Sequence, residues 1–109
     1  MKVSIILPNF NSSEFIKQTL KSIISQTYKN WELIIVDDNS NDKTKRILLK
    51  YKKYRKIKII FLKKNKGQGF CRNLAIKKSK SAYIAFIDSD DIWEKTKLQK
   101  QILFMTRNN

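Results

Sequence analysis

Four short runs of apolar, mostly β-branched residues recur along the chain, at 3–7, 31–36, 57–62 and 82–87. Each is followed by a polar cluster and then by a segment whose apolar residues fall at helical spacing. Continuous apolar runs of this length suit strands covered on both faces, and alternation with helices of about ten residues implies βαβ units. The fold class is therefore α/β, a mainly parallel sheet with helices on both faces. Ser12 or Ser13 is expected to cap the first helix, which carries Ile16, Leu20, Ile23 and Ile24. A turn and cap cluster at 39–42 precedes a Lys-rich helix with Ile47, Leu48 and Tyr51. A polar loop at 65–69 leads to a helix over 70–78 with Leu74 and Ala75 facing inward. The last helix carries Leu98, Ile102 and Met105.

The chain has 109 residues, enough for one domain with one covered sheet and too few for two. It has no His and a single Cys, Cys71, so Ser-His-Asp triads, Cys-His pairs, disulfides within the chain and thiolate or imidazole metal sites are excluded. A metal, if one binds, is a hard cation held by oxygen. The opening apolar run is too short for a signal peptide, and no stretch nears the ~20 apolar residues of a membrane span. The expectation is a cytoplasmic protein, or one peripheral at the inner membrane surface.

The net charge of +15 points either to an anionic partner or to drift in composition. Lys, Ile and Asn are abundant and only four Arg occur, whereas specific nucleic-acid readers favour Arg. Drift is the better account, and no specific nucleic-acid partner is expected. Against that basic background, six of the nine acidic residues fall at two strand ends, at 37–42 and 88–91.

Ligands of open parallel sheets bind beyond the carboxyl ends of the strands. In an extended Asp88-Ser89-Asp90 the two carboxylates face one side, and their repulsion is relieved by a cation such as Mg²⁺ or Mn²⁺. The competing reading is capping of the next helix, the role expected of Asp91. Asp37 and Asp38 close the second strand, either as acceptors for a ribose or base or as turn and cap residues. Gly67-Gln68-Gly69 begins like a dinucleotide fingerprint, but Arg72 holds the sixth position and the segment follows the third strand, which rules out that reading. Gly67 and Gly69 still allow close backbone approach, and Arg72 near a helix start could meet a phosphate.

Taken together, 5–11, 25–28, 31–40, 65–67 with Arg72-Asn73, and 83–91 resemble the family-2 glycosyltransferases, in order and with that family's spacing. The resemblance implies a Rossmann-like GT-A nucleotide-binding core, with 1–109 as its donor-binding N-terminal part. It implies a nucleoside-diphospho-sugar donor, Mn²⁺ or Mg²⁺, and a saccharide or lipid-linked acceptor in cell-surface polysaccharide synthesis. Pro8 and Phe10 would lie against the base and Asp38 would bond to base or ribose. Asp37, Gly69, Arg72 and Ser89 would join the donor site. Asp88 and Asp90 would form the DxD-type motif, with Asp90 the direct metal ligand. Phe10 stands where Tyr is commoner, Ser81 where Gly is usual, and Lys95 where Pro often follows.

Two rivals fail on order or coverage. A receiver-type domain needs its acidic pair after the first strand, and a basic nucleic-acid module leaves both Asp clusters unexplained. A third remains, a donor-binding fragment that transfers nothing alone, because only Glu94 follows Asp91 among the acids and a general base is needed beside the acceptor. Part of the Leu98, Ile102 and Met105 stripe is expected to lack cover, favouring self-association or a partner chain.

Overall fold

The computed structural model describes residues 1–107. Strands β1 (Val3–Asn9), β2 (Trp31–Asp37), β3 (Ile57–Phe61) and β4 (Tyr83–Phe86) alternate with helices α1 (Ile16–Ile24), α2 (Thr44–Leu49), α3 (Gln68–Lys78) and α4 (Lys97–Arg107). The strands form one parallel sheet in the order β3-β2-β1-β4. The chain thus builds outward from β1 to β3, then crosses back to set β4 on the other side of β1.

Both central strands are buried along their whole length, as their unbroken apolar runs require, whereas β3 and β4 are partly exposed. On one face Ile5, Leu7, Leu33 and Ile35 pack against Ile16, Leu20 and Ile23 of α1, Leu48 of α2, and Leu98 and Ile102 of α4. On the other, Ile6, Ile34 and Val36 meet Cys71 and Ala75 of α3. Helices therefore cover both faces, three against one.

Several local expectations change. Ser12 does not cap α1 with its side chain; its hydroxyl donates to the Asn9 side chain, and its carbonyl accepts from Phe15 and Ile16. Tyr51 lies past the end of α2 and stacks on Tyr54. The α4 stripe is covered, since Leu98 and Ile102 are buried and Met105 packs on the same core. The helix finds this cover because β4 lies beside β1 and exposes the sheet face on which α4 rests.

One buried acid escaped the pattern reading. Glu32 sits in β2 at 3% exposure and takes the Ser4 hydroxyl at 2.5 Å, the Lys80 N–H at 3.0 Å and the Lys58 ammonium at 3.4 Å. Burial pushes its carboxyl up, but the Lys80 N–H, the Ser4 hydroxyl and Lys58 outweigh burial and hold it below the usual range. Lys58 is half exposed and adds little. A depressed folded-state pKa stabilises above the unfolded value, and that stability is lost as pH falls through the folded value. Glu32→Gln is expected to cost about 1–3 kcal/mol at pH 7. Urea titrations should show the gap to wild type closing below about pH 4. A gap of constant size at every pH would show that ionised Glu32 is not the source.

Candidate functional site

The strand order reverses between β1 and β4, so the crevice beyond their carboxyl ends is where such a sheet receives a ligand. Pro8 helps to open it. The Ile87 N–H donates to the Ile6 carbonyl, so even-numbered residues of β1 address β4, and at Pro8 no N–H exists to continue the ladder. Past that point β1 and β4 part. Two adjoining cavities of about 440 and 420 Å³ fill the gap, and Pro8, Phe10, Gln68 and Ser89 line both. Asp38, Asn65 and Cys71 line the first, while Asp88, Asp90 and Phe15 line the second. The Phe10 and Phe15 rings are each about half exposed, free to meet a planar ligand.

The loops around the crevice are stapled to each other. Asn11 and Asn39 adopt positive φ, which Asn tolerates better than most residues. Asn11 receives the Asn41 N–H at 2.9 Å and donates to the Asn41 side chain at 2.8 Å, and its own N–H meets the Ser40 hydroxyl at 2.9 Å. The N-cap of α2 is Lys43, just past the expected cluster, and makes no side-chain cap bond; Asp42 instead accepts the Thr44 N–H at 2.9 Å across the turn that precedes the helix.

Asp37 and Asp38 are adjacent but do different things. Asp37 is fully buried and accepts from the Asn9 amide at 2.8 Å, the Ser40 N–H at 3.0 Å and the Ser40 hydroxyl at 2.6 Å. Rather than lining the crevice, it ties the ends of β1 and β2 together. Asp38 lines the crevice, and its two oxygens accept the N–H groups of Lys66 at 2.6 Å and Gly67 at 2.9 Å. It therefore holds the start of α3 as well. Gly67 has φ +92°, a conformation L side chains resist. Gly69 lies in the first turn of α3 rather than in the loop, and a Cβ there would meet nothing. Burial first, and then Asp38, push the Cys71 thiol up to about 11, so it stays protonated and unreactive at neutral pH.

The acidic cluster is arranged by a turn. The strand stops at Phe86, and the Asp91 N–H bonds the Asp88 carbonyl at 3.0 Å while the Asp88 N–H bonds the Asp91 carboxylate at 3.1 Å. This turn, not strand alternation, brings carboxylate oxygens of Asp88, Asp90 and Asp91 within 4.8 Å of one another, all exposed. Asp91 was expected to cap the next helix. It joins the cluster instead, because α4 begins six residues later at Lys97. Thr19 of α1 anchors the turn by donating to the Ser89 carbonyl at 2.8 Å. The Arg72 guanidinium lies 3.9 Å from Asp88 and 5.9 Å from the Phe86 ring centre.

Gln68 and Asn9 were missed by the sequence reading. The signal for Gln68 was its place directly after Gly67 at a helix start, and for Asn9 a polar residue closing an apolar run.

Residues 4–109 match the family described as Glycosyl transferase family 2. The chain is 50% identical over 105 residues to a UDP-Glc:alpha-D-GlcNAc-diphosphoundecaprenol beta-1,3-glucosyltransferase, WfaP, of Escherichia coli, covering 94% of this chain and 41% of that protein. It is 41% identical over 113 residues to the poly(ribitol-phosphate) beta-N-acetylglucosaminyltransferase TarP of Staphylococcus aureus, covering 99% of this chain and 34% of that one. The crystal structure of S. aureus TarS 1-349 in complex with UDP-GlcNAc superposes with a TM-score of 0.91 at 34% identity, over 98% of this chain and 32% of that one. The chain spans less than half the length of these relatives. With a match over nearly its whole length and the GT-A sheet order to go with it, the chain belongs to glycosyltransferase family 2.

Proposed function

We propose that this chain binds a nucleoside-diphospho-sugar together with Mn²⁺ or Mg²⁺, for transfer of the sugar to a saccharide or lipid-linked acceptor in cell-surface polysaccharide synthesis. The observation that carries the reading is the meeting of an exposed three-carboxylate turn with an aromatic-lined crevice at the strand-order switch. Three oxygen donors at such spacing fit a hard divalent cation, which would be held by Asp90 and Asp88 and would offset the charge of a diphosphate. Pro8 and Phe10 would receive the base, and Asp38 the ribose or base. Ser89, Arg72 and the backbone near Gly69 would lie along the diphosphate and sugar. Asp37 acts one step back, by fixing Asn9 and Ser40.

A second reading, donor binding without transfer by these residues alone, also has an observation behind it. Glu94, the only acid after Asp91, is engaged by Thr96 at 2.7 Å and Lys100 at 3.3 Å, and those contacts lower its pKa. The carboxylates lining the crevice are Asp38, Asp88 and Asp90, which the donor and its metal would occupy. A lipid-linked acceptor, as named for the E. coli relative, would be met at the inner membrane surface. There the excess of Lys favours anionic headgroups.

A ligand at 100 times its Kd stabilises a fold by about 2.7 kcal/mol. UDP with Mn²⁺ is therefore expected to raise the Tm by several degrees, and chelator to abolish the gain. Asp90→Asn should stay folded and lose the response; an equal rise in the variant would remove Asp90 from the metal site.

Asp38→Ala is expected to weaken nucleotide binding about ten- to a hundredfold, the loss of one hydrogen bond to a charged group. It should also lower stability, because the Lys66 and Gly67 N–H groups lose their acceptor. Calorimetry that finds the affinity intact in a destabilised variant would leave Asp38 as a loop clamp only.

A further inference from the structure

Residues 87–96 carry the acidic turn yet contain neither helix nor strand, so their shape rests on what they touch. Ile87 before the turn and Trp93 after it are buried in the core they share with Leu20 and Ile23 of α1. Polar ties come from the end of the same helix. Gln26, fully buried, donates to the Glu94 carbonyl at 2.7 Å and accepts the Leu98 N–H at 3.1 Å, which satisfies a first-turn donor of α4. The Thr27 N–H meets the Lys95 carbonyl at 2.9 Å. Between the two apolar anchors a single tie reaches the turn itself, from the hydroxyl of buried Thr19 to the Ser89 carbonyl at 2.8 Å. Among the described residues it is the one hydrogen bond that another element makes to 88–91, and Arg72 adds only an exposed ion pair at 3.9 Å.

We propose that Thr19 is a positioning residue, which holds Asp88 and Asp90 where one divalent cation can meet both before the cation arrives. The inference rests on the metal reading above. Ser89 stands between the two acids, and its carbonyl shares a rigid peptide plane with the Asp90 nitrogen. Tying that oxygen to α1 fixes how the chain leaves Asp88 and enters Asp90. Without a cation the three carboxylates, within 4.8 Å of one another, repel. An untied turn would relax by swinging them apart, and closing it again would count against binding. A helical threonine can return its hydroxyl to a carbonyl one turn earlier, but Thr19 directs it to Ser89. Because α1 begins directly after Phe15, one helix joins the aromatic side of the crevice to its acidic side.

The test is calorimetry of UDP binding to the full chain, once with Mn²⁺ and once with chelator. Thr19→Val keeps the shape of the side chain and loses its hydroxyl. The gain in UDP affinity that Mn²⁺ gives is expected to fall about three- to tenfold, the worth of one neutral hydrogen bond. Affinity in chelator should not change, and Thr19→Ser should restore the gain. Hydrogen exchange without metal should show the Asp91 amide of Thr19→Val losing protection by a similar factor. Ser22→Ala serves as the control, since it removes a hydrogen bond of α1, from the Ser22 hydroxyl to the Thr19 carbonyl at 2.7 Å, and leaves the turn alone. The proposal is overturned if Thr19→Val keeps the full Mn²⁺ gain, or if Ser22→Ala loses as much of it. A wild type whose UDP affinity ignores Mn²⁺ would overturn the metal reading, and the role of Thr19 with it.

Discussion

The β1–β2 ladder is locked in register by two polar pairs, one at each end, and the site depends on that lock. Ser4 lies opposite Glu32 and Asn9 opposite Asp37, and in each case the side chains are hydrogen-bonded. Between them both strands are apolar and wholly buried, so hydrophobic packing would tolerate more than one alignment. A slip of one residue would part Glu32 from the Ser4 hydroxyl and Asp37 from the Asn9 amide, at about 1.5–3 kcal/mol for each bond to a charged group. The apolar middle drives burial, and the polar ends choose the alignment.

At the carboxyl end the chosen alignment has functional consequences. Asp37 holds Asn9 and Ser40, Ser40 holds the backbone of Asn11, and Asn11 holds Asn41. The loop carrying Phe10 is thereby fixed to the loop after β2. Asp38, one residue on, reaches the opposite way to the backbone of Lys66 and Gly67 and sets where α3 begins. Two neighbouring acids thus orient three loops around one crevice. A rigid rim of this kind reduces the ordering cost of receiving a ligand.

Electrostatically the site is an exception within its own protein. A chain of net charge +15 attracts anions over its surface, and that field would aid approach of the proposed diphosphate donor. The 88–91 turn has the opposite sign at close range, so it repels an anion unless a cation lies between them. Long-range attraction of anions and short-range repulsion by the turn together favour the proposed metal-bound donor over a bare one.

Much of this was legible in the sequence. The four apolar runs and the helical spacing between them gave the α/β class and the parallel sheet, because burial on both faces leaves a periodicity that composition cannot disguise. The ordered motifs identified the family, and three of the acids at strand ends, Asp38, Asp88 and Asp90, line the crevice beyond the sheet. Other features needed the third dimension. Asp37 and Asp38 read alike, yet one is interior and the other lines the crevice, since that division depends on which loops approach from β1 and α3. Asp91 entered the acidic cluster only because the backbone turned after Phe86, a choice made by tertiary contacts such as Thr19 to Ser89. Glu32 was hidden in an apolar run, since its donors come from three segments remote in sequence. Local periodicity is written in the chain itself. Which polar groups find one another across it is settled by packing, and packing is non-local.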